Sequence, residues 1–339
     1  VDTHSQPFFG PVRVEDPAQS GYLHSVAGKL KILIIGGYGT FGTRLVELLR
    51  DEAGLQLIVA GRSLARAKTL CIMEARAELV PAEIDRNGDV QERIGRLDPD
   101  IVVDASGPFQ AYGDDPYRVA RSALAAGAHY IDLADSADFV LGIRELDEAA
   151  LASGKFVLSG LSTCPALTSA VVRELAGDLS NVDRIAGGIA PSPQVGFGYS
   201  VVRGVLSYAG RPVSIVRNGE KVDATGLDDS RNYTITNPGR QPLFTRRFSL
   251  VDVPDLKILA EDWPQANEVW FGVGTAPVWL LKLLNSAAGL VRRKMLPPLT
   301  WFARVVHWVQ NSVRWGEHRG GMFVRLYGRN EDGQPLRHR

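Results

Sequence analysis

The sequence predicts an α/β protein with a doubly wound parallel sheet and a second, mixed α/β domain. Two observations predict it. The stretch Lys31–Arg50 runs from an apolar, β-branched strand through a G-x-G-x-x-G segment into a helical pattern. Short apolar runs then alternate with helical patterns as far as residue 162. This alternation is typical of the βαβ units of a Rossmann domain, and a chain of 339 residues is long enough for two domains.

Each position of the glycine-rich segment has an expected task. Gly37 would make the tight turn, Gly39 would let the backbone approach a pyrophosphate, and Gly42 would let the helix pack closely on the strand. Thr40 and Phe41 open the helix, whose first N–H groups point at the phosphates in such folds. Because the segment lies between a strand and a helix, it predicts dinucleotide binding.

The end of the second strand, Leu55–Ala60, favours NADP(H) over NAD(H). NAD-binding domains usually place Asp or Glu there, which accepts a hydrogen bond from the ribose 2′-hydroxyl. This chain has Arg62 and Ser63 instead. A guanidinium can bind the 2′-phosphate of NADP(H) by charge-assisted hydrogen bonds. The alternative is that Arg62 is only a surface residue of a βα loop.

Two later strands supply further candidate cofactor contacts. A third strand over Leu79–Ile84 ends at Asp85, where an adenine contact would fall. A fourth over Ile101–Ala105 is followed by Ser106, Gly107 and Pro108. Ligands of doubly wound sheets bind at the carboxyl ends of the strands, near the switch in strand order. We therefore expect the fourth loop beside the nicotinamide.

Further patterns complete the first domain. They predict helices and strands over Asp89–Leu97, Asp115–Ala126, His129–Leu133, Ala137–Ala152 and Phe156–Ser159.

Several short motifs stand in order and carry a family resemblance. Besides the glycine-rich segment they are Gly61-Arg62-Ser63, Gly107-Pro108-Phe109, Tyr112-Gly113 and Tyr130-Ile131-Asp132. Over roughly Lys31–Ala170 the chain resembles the saccharopine dehydrogenase-like oxidoreductases. The resemblance implies NADP(H)-linked reduction, but members of the family act on dissimilar substrates, so it does not name the substrate. Some relatives have Gly-Glu after the fifth strand where this chain has Asp135-Ser136, so a catalytic carboxylate is not carried over there.

Hydride transfer also needs a proton donor, and the candidates lie on loops after strands four to six. We single out Tyr112, Asp132 and Asp135 as catalytic candidates, with Cys164 as a weaker one. Tyr112 could instead be a packed aromatic. Either aspartate could be a general acid if burial raises its pKa, but capping of the next helix is an equal alternative. Cys164 is more simply a buried small hydrophobe.

Composition excludes other classes of function. Basic and acidic residues balance, at 38 each, so nothing steers the protein to nucleic acid. Two cysteines suit a reducing compartment, and we expect a cytoplasmic protein. No Cys/His cluster has metal-ligand spacing and no G-x-S-x-G motif is present, so we expect no metal and no hydrolase chemistry.

Three regions follow from the patterns. Residues 1–29 read as an N-terminal arm, 30–162 as the Rossmann domain, and 163–339 as a second domain with a mixed sheet. A hairpin is expected at Asn218-Gly219. By the architecture that the resemblance implies, the second domain would bind a small-molecule substrate and form a homodimer contact. A strand followed by a turn shortly before residue 339 suggests a truncated C-terminus.

A Trp-rich basic segment, residues 276–315, differs from the rest of the second domain. No Asp or Glu occurs between positions 269 and 316. Its last helix is expected to separate a polar face from an apolar one. The polar face would hold Arg304, His307, Asn311 and Arg314, and the apolar face Val305, Trp308, Val309 and Ser312. Such a helix could pack on the protein's own core or on a dimer mate, touch a membrane surface peripherally, or cover a hydrophobic substrate.

The function that these patterns favour is an NADP(H)-dependent oxidoreductase reducing a C=N, C=O or C=C bond, with a hydrophobic substrate slightly preferred. The alternative is a non-catalytic NADP-binding sensor, or a membrane-surface interaction protein that uses the Rossmann fold as a scaffold. The absence of a clear acid–base pair favours the alternative, whereas the complete nucleotide-binding pattern favours the enzyme.

Overall fold

The computed structural model describes residues 28–338, apart from positions 178, 193, 195, 197, 238, 244, 245, 276, 277 and 313–317. Nearly all of the predicted N-terminal arm, as well as Arg314 and Trp315, lies outside the described residues. The described chain forms two sheets with helices packed against them. The last strand of the first sheet ends at Leu158, and the second sheet begins at Asn181.

The first sheet confirms the predicted Rossmann fold. Its strands are β1 (Leu30–Ile35), β2 (Leu55–Gly61), β3 (Glu78–Glu83), β4 (Ile101–Asp104), β5 (His129–Asp132) and β6 (Val157–Leu158). All pair in parallel, in the order β3-β2-β1-β4-β5-β6. The order reverses between β1 and β4, so the glycine-rich turn and the Ser106 loop leave the sheet side by side. That is the place where doubly wound sheets bind ligands.

Six helices cover the two faces of this sheet. They are α1 (Thr40–Leu49), α2 (Leu64–Leu70), α3 (Val90–Leu97), α4 (Arg118–Ala125), α5 (Ala137–Gly142) and α6 (Asp147–Ser153). The sheet buries one apolar cluster on each face, with Leu33 in one and Ile34 in the other, both fully buried. This alternation between faces is why the β1 sequence is apolar at consecutive positions.

The single helix predicted over Ala137–Ala152 is wrong in one respect, because the structure breaks it at Gly142. The Tyr117 hydroxyl donates a hydrogen bond of 2.8 Å to the carbonyl oxygen of Phe139. A Cβ on Gly142 would lie 2.3 Å from that hydroxyl. The buried tyrosine thus occupies the space beside the helix and takes one of its carbonyls. The chain continues as a 3₁₀ turn over Ile143–Leu146 before α6 begins.

The second sheet is mixed, as predicted. Its strands are β7 (Asn181–Ala190), β8 (Pro212–Arg217), β9 (Glu220–Thr225), β10 (Ser230–Tyr233), β11 (Arg246–Leu250), β12 (Glu268–Gly274), β13 (Gly321–Arg329) and β14 (Pro335–His338). The main order is β10-β11-β12-β7-β13-β14, and β8 pairs with both β12 and β9. Only β12 and β7 run parallel among these pairs. The expected hairpin joins β8 to β9, with positive φ at Asn218 and Gly219.

Within the described residues, five α-helices belong to this second part of the chain. They are α7 (Thr168–Ala176), α8 (Tyr199–Ser207), α9 (Asp255–Asp262), α10 (Val278–Arg292) and α11 (Ala303–Ser312). Helices α7 and α9 pack on the main sheet core through Val172, Leu256 and Leu259. Helices α8, α10 and α11 share a separate apolar cluster, to which Leu206 and Ala288 contribute. Three elements of this part, β10, α9 and β14, had no counterpart in the sequence-based prediction.

Helix α1 lies closer to the preceding turn than a side chain would allow. A Cβ on Gly42 would lie 2.2 Å from the carbonyl oxygen of Gly36 and 2.6 Å from the Cα of Gly37. Both are backbone atoms, so no change of rotamer could relieve the contact. This geometry agrees with the packing role expected of Gly42.

We predict that Gly42→Ala lowers the free energy of unfolding by about 3 kcal/mol, because overpacking against fixed atoms forces the backbone to move. Gly95→Ala is the matched control, since a Cβ there would meet nothing within 4 Å. A helical alanine should raise stability slightly, by about 0.5 kcal/mol. Urea unfolding of the two variants measures both effects. Equal stability of Gly42→Ala and the unmodified chain would refute the packing argument.

Candidate active site at the carboxyl edge of the first sheet

The glycine-rich turn has the expected shape, but the tight turn is made one residue earlier than predicted. Gly36 carries the positive φ, 80°, whereas Gly37 does not. Gly37 instead packs on β2, where a Cβ would lie 2.8 Å from Val59 Cγ1. Gly39 stands at the N-cap of α1 and offers no side chain to cap it. The first N–H groups of α1 therefore remain available to an anion.

The turn after β2 brings Arg62, Ser63 and Tyr38 together. Arg62 is exposed and has no ion-pair partner within the part of the chain that the structure describes. The Ser63 N–H donates a 2.7 Å hydrogen bond to the Tyr38 hydroxyl, and the Arg66 guanidinium lies 4.6 Å from the centre of the Tyr38 ring. A Cβ on Gly61 would overlap that ring. Tyr38, which sequence reasoning passed over, thus fixes the turn that carries both predicted 2′-phosphate contacts.

Asp85 forms a hydrogen bond within its own loop. Its Oδ1 accepts a 3.0 Å hydrogen bond from the Asn87 N–H, and the residue is exposed. The next residue, Arg86, reaches further and places its guanidinium 3.4 Å from the centre of the Tyr112 ring. The predicted contact of Asp85 with adenine stays a prediction. Arg86 connects the loop after β3 to the loop after β4 through its contact with Tyr112.

The loop after β4 is organised by one buried carboxylate, Asp104. Its Oδ1 accepts hydrogen bonds from the Ser106 N–H at 2.9 Å and the Ser106 hydroxyl at 2.6 Å. Its Oδ2 accepts one from the Tyr112 hydroxyl at 3.0 Å. These bonds fix the segment that leads into Gly107 and Pro108, which are joined by a cis peptide bond.

The same bonds determine what Tyr112 can do. Burial and the neighbouring Asp104 raise the pKa of the Tyr112 hydroxyl, which makes it a poor acid. Its proton is also directed to Asp104 rather than outward. The ring stacks on Phe109, with 4.7 Å between centroids. This geometry favours the packed-aromatic alternative for Tyr112 over a proton donor.

Asp132 is likewise fully buried, and it holds the loops after β5 and β6. Its Oδ1 accepts hydrogen bonds of 2.9 Å from the Ala134 N–H, the Gly160 N–H and the Ser159 hydroxyl. Burial raises its pKa to about 6 against the pull of these donors. No donor in hydrogen-bond geometry faces Oδ2, although the buried Tyr130 interacts with the carboxylate. The Asp132 carboxylate therefore connects the loop after β5 to the loop after β6.

Asp135 has a different environment. It is exposed, and its Oδ1 accepts a 3.0 Å hydrogen bond from the Gln110 side chain. The surrounding protein still removes enough water from the carboxylate to raise its pKa. Across from it, Tyr208 at the end of α8 interacts electrostatically with both Asp135 and Asp252. Of the three catalytic candidates, Asp135 alone combines exposure with a raised pKa.

The second part of the chain touches the first at this edge. A Cβ on Gly204 of α8 would lie 3.4 Å from the Gln110 side chain. A Cβ on Gly198, which precedes α8, would lie 2.7 Å from the Thr40 hydroxyl. Helix α8 therefore lies against both the glycine-rich turn and the loop after β4, which closes the carboxyl edge of the first sheet.

Cys164 lies behind this contact. It is buried, and its thiol interacts with Asp255, whose carboxylate also accepts a hydrogen bond from the Thr168 hydroxyl. Burial raises the pKa of Cys164, so the thiol stays protonated. This agrees with the expectation that Cys164 is a small buried residue.

Comparison with known proteins identifies the family of the first domain. Residues 32–158 match the family model described as "Saccharopine dehydrogenase NADP binding domain". The first domain belongs to that family. The resemblance found in the sequence is thereby confirmed for the NADP-binding domain, and the chain carries the nucleotide-binding domain of an oxidoreductase family.

One solved structure extends the likeness of fold beyond this NADP-binding domain. Saccharopine dehydrogenase (L-Glu forming) from Saccharomyces cerevisiae is 13% identical with a TM-score of 0.61, and the match covers 91% of this chain and 84% of that one. GenD2 from gentamicin A biosynthesis, in complex with NAD, is 13% identical with a TM-score of 0.41, and the match covers 92% and 72%. A dehydrogenase from Chromobacterium violaceum is 12% identical with a TM-score of 0.41 and the same coverage. A comparison with curated proteins gave no match.

Two cavities lie away from the glycine-rich turn and from Asp135. A groove of about 620 Å³ lies between α3 and α4, and Asp115, Arg118 and Arg121 line it with both signs of charge. A cavity of about 210 Å³ adjoins it beside Arg86 and Tyr112. Neither is lined by the glycine-rich turn of the NADP-binding domain or by Asp135. Among the described residues, no cluster of His, Cys, Asp and Glu side chains could hold a metal ion.

The raised pKa of Asp132 makes stability depend on pH. An aspartate in the unfolded chain titrates near pH 4, whereas the folded protein holds this proton up to about pH 6. The contribution of Asp132 is therefore full below about pH 4 and is lost as the pH rises to 6, with a total near 3 kcal/mol. Asp255, whose pKa burial also raises to about 6, acts in the same direction.

We predict that Asp132→Asn removes this share of the pH dependence, because the amide oxygen still accepts hydrogen bonds but does not titrate. Urea unfolding at several pH values from about 4 to 7 measures it. The control is Asp138→Asn, a change at an exposed carboxylate. If the stability difference between the unmodified chain and Asp132→Asn is constant over this range, Asp132 does not retain a proton in the folded state.

Proposed function

We propose that the protein is an NADP(H)-dependent oxidoreductase that reduces a C=N, C=O or C=C bond of a small molecule held between the two domains. The observation that carries the proposal is the position of Asp135. It lies just beyond β5 at the edge where doubly wound sheets bind ligands, and it is exposed with a raised pKa. A carboxylic acid whose pKa is raised by burial is better suited to act as a general acid than a solvated one.

The residues of the NADP-binding domain fit the cofactor. Gly36 and Gly39 form a turn without side chains in front of an uncapped helix, which suits a pyrophosphate. Arg62 is exposed without an ion-pair partner among the described residues, and Ser63 lies next to it in a turn fixed by Tyr38. A 2′-phosphate would supply the missing counter-charge. When bound, NADPH supplies a hydride.

The rest of the chemistry would fall to residues of this chain. The hydride adds to one atom of the double bond, and Asp135 would donate a proton to the other. Gln110 would hold the carboxyl group of Asp135 in place through their hydrogen bond. Burial by the surrounding protein raises the pKa of Asp135, and this favours the protonated form of Asp135 before the reaction.

We predict that Arg62→Ala weakens NADPH binding by about tenfold to a hundredfold and leaves NADH binding nearly unchanged. The reason is that charge-assisted hydrogen bonds to a phosphate are worth about 1.5–3 kcal/mol, and NADH has no 2′-phosphate. Titration followed by cofactor fluorescence measures both. The control is Arg93→Ala, an exposed arginine on α3. Equal losses for the two cofactors would assign Arg62 to the protein surface.

We predict that Asp135→Asn lowers the rate of NADPH consumption by about a hundredfold or more, the usual contribution of a general acid, while NADPH affinity is unchanged. The asparagine oxygen can still accept the hydrogen bond from Gln110. A panel of imines, ketones and enones, read by NADPH consumption, provides the assay, and Asp138→Asn is the control. As the pH is raised, the rate of NADPH consumption by the unmodified chain should fall because Asp135 loses its proton. The Asp135→Asn variant should show no such fall.

The alternative makes a different prediction in the same assay. A non-catalytic NADP sensor would bind NADPH tightly and consume none with any class of substrate. Two of the three sequence-predicted donors, Tyr112 and Asp132, are engaged in holding loops, which is the observation that favours the sensor. Homodimer formation and a cytoplasmic location stay proposals, and light scattering tests the first.

A further inference from the structure

The tryptophans of the Trp-rich basic segment differ from Trp270, which precedes it in the chain. Trp270 is fully buried in β12 and belongs to the core of the second sheet. Trp301 and Trp308 are 77% and 66% exposed, although tryptophan is one of the side chains that gain most from burial. The exposed side chains are concentrated on α10, on α11 and between them. We call this set the exposed tryptophan face: Trp279, Leu283, Met295, Trp301, Phe302, Val305 and Trp308.

Helix α11 leaves large apolar side chains exposed. Its inner side holds Ala303 and Val306, which join the apolar cluster of α8 and α10. His307 contacts the Tyr199 ring edge-on with 5.8 Å between centroids, and a Cβ on Gly196 would lie 3.0 Å from the Asn311 side chain. The predicted apolar face, with Val305 and Trp308, is exposed and does not pack on the protein's own core.

Helix α10 repeats the pattern. Leu281, Asn285 and Ala288 are buried against the second domain. The opposite side exposes Trp279, Lys282 and Leu283, and the exposed Arg293 follows directly after the helix. Large apolar side chains that remain exposed beside one another mark an interaction surface.

The charge around this face has one sign. Lys282, Arg293 and Arg304 are exposed and have no ion-pair partner within the described ranges. Residues 269–316 include no Asp or Glu. Arg292 is different, because it donates a hydrogen bond to Thr225 and lies 4.0 Å from Asp228. The cations beside the apolar face are therefore available to an external anion.

We propose that the exposed tryptophan face binds the surface of an anionic phospholipid bilayer. Tryptophan and aliphatic side chains enter the boundary between headgroups and acyl chains, and Lys and Arg beside them meet the phosphates. None of the described helices is both long enough and apolar enough to cross a bilayer. The protein lies on the surface with α10 and α11 against it.

A second copy of the chain is the competing occupant, and the charges argue against it. A two-fold symmetric contact would place the same patch against itself. Lys282, Arg293 and Arg304 would then approach their own counterparts, with no acidic residue of the segment between them. Like charges brought together in this way oppose association. An anionic bilayer offers the complementary charge.

Flotation of the full chain with phospholipid vesicles tests the proposal. One set of vesicles contains phosphatidylcholine alone, and the other contains an equal part of phosphatidylglycerol. We expect binding to the anionic vesicles that weakens with salt, little binding to the neutral ones, and a blue shift of tryptophan emission on binding. Urea unfolding of every variant shows whether it is folded, and NADPH titration tests the cofactor site separately.

Two variants separate the contributions of apolar and of charged side chains to vesicle binding. Trp301→Ala/Trp308→Ala should weaken vesicle binding by about tenfold or more, because the apolar anchors are lost. Lys282→Glu/Arg293→Glu/Arg304→Glu should weaken it by about a hundredfold or more, since each cation near an anionic surface contributes about one kcal/mol. The matched controls are Ile72→Ala/Leu151→Ala, at two exposed apolar residues of the first domain, and Arg93→Glu/Lys221→Glu/Arg240→Glu, at exposed cations elsewhere. Both should bind as the unmodified chain does.

Three results would overturn the proposal. The first is absence of binding to the anionic vesicles by the unmodified chain. The second is an equal loss of binding in the controls. The third is a dimer in light scattering that Trp301→Ala/Trp308→Ala converts to a monomer, without vesicle binding, which would assign the face to a contact between copies. Failure to bind NADPH would overturn the proposed function and leave this inference standing.

Discussion

Two buried carboxylates at the ends of neighbouring parallel strands fix the geometry of the candidate site. Asp104 and Asp132 are register partners in β4 and β5, and both are fully buried. Each would be costly to bury alone. Asp104 is stabilised by Ser106 and Tyr112, and Asp132 by donors in the loops after β5 and β6. Because the donors belong to the loops, the hydrogen bonds that stabilise the buried carboxylates also position the loops.

This arrangement explains why the exposed aspartate is the one left for chemistry. Asp132 uses its hydrogen bonds to hold Ala134 and Gly160. The short segment held in this way presents Asp135 at the sheet edge, where Gln110 from the loop after β4 reaches it. The two loops that Asp104 and Asp132 fix thus meet at Asp135. A titratable group at such a junction is surrounded by protein but open to a ligand, and that combination raises a pKa without isolating the group.

The sequence was sufficient for the first domain because its signals are local. Strand, glycine turn and helix follow one another from Lys31, and each is decided by its own residues. The break after α5 was missed because it depends on Tyr117, which is distant in sequence from Phe139. In the second sheet, the polar strand β10 has no apolar alternation to reveal it. It is a strand because it pairs with β11 and because Tyr233 packs on the aromatic core, with its ring centroid 4.4 Å from that of Phe323.

The residues of the candidate site also fall into two groups, those that the sequence could predict and those that it could not. The residues on the nucleotide side follow a motif, so their numbers could be read from the chain. Tyr38, Gln110 and Tyr208 could not, since each matters only through a partner brought near by the fold: Ser63 for Tyr38, and Asp135 for the other two. Hydrogen bonds between distant segments leave no periodic trace in a single sequence. Gly61 opposite Tyr38 was the only available signal, and it has meaning only once the two strands are side by side.

The orientation of α11 shows the limit of periodicity most clearly. The spacing of His307, Asn311, Val305 and Trp308 divides the helix into two faces, but it does not say which one turns inward. Here the inner side joins the apolar cluster of α8 and α10 through Ala303 and Val306. It also places His307 against Tyr199, and Asn311 near Gly196 in the turn before α8. Since Gly198, at the start of α8, in turn contacts Thr40 of the glycine-rich turn, the exposed tryptophan face and the nucleotide-binding turn lie on two sides of one short helix. A surface that holds α11 would therefore hold the edge of the candidate active site close to it as well.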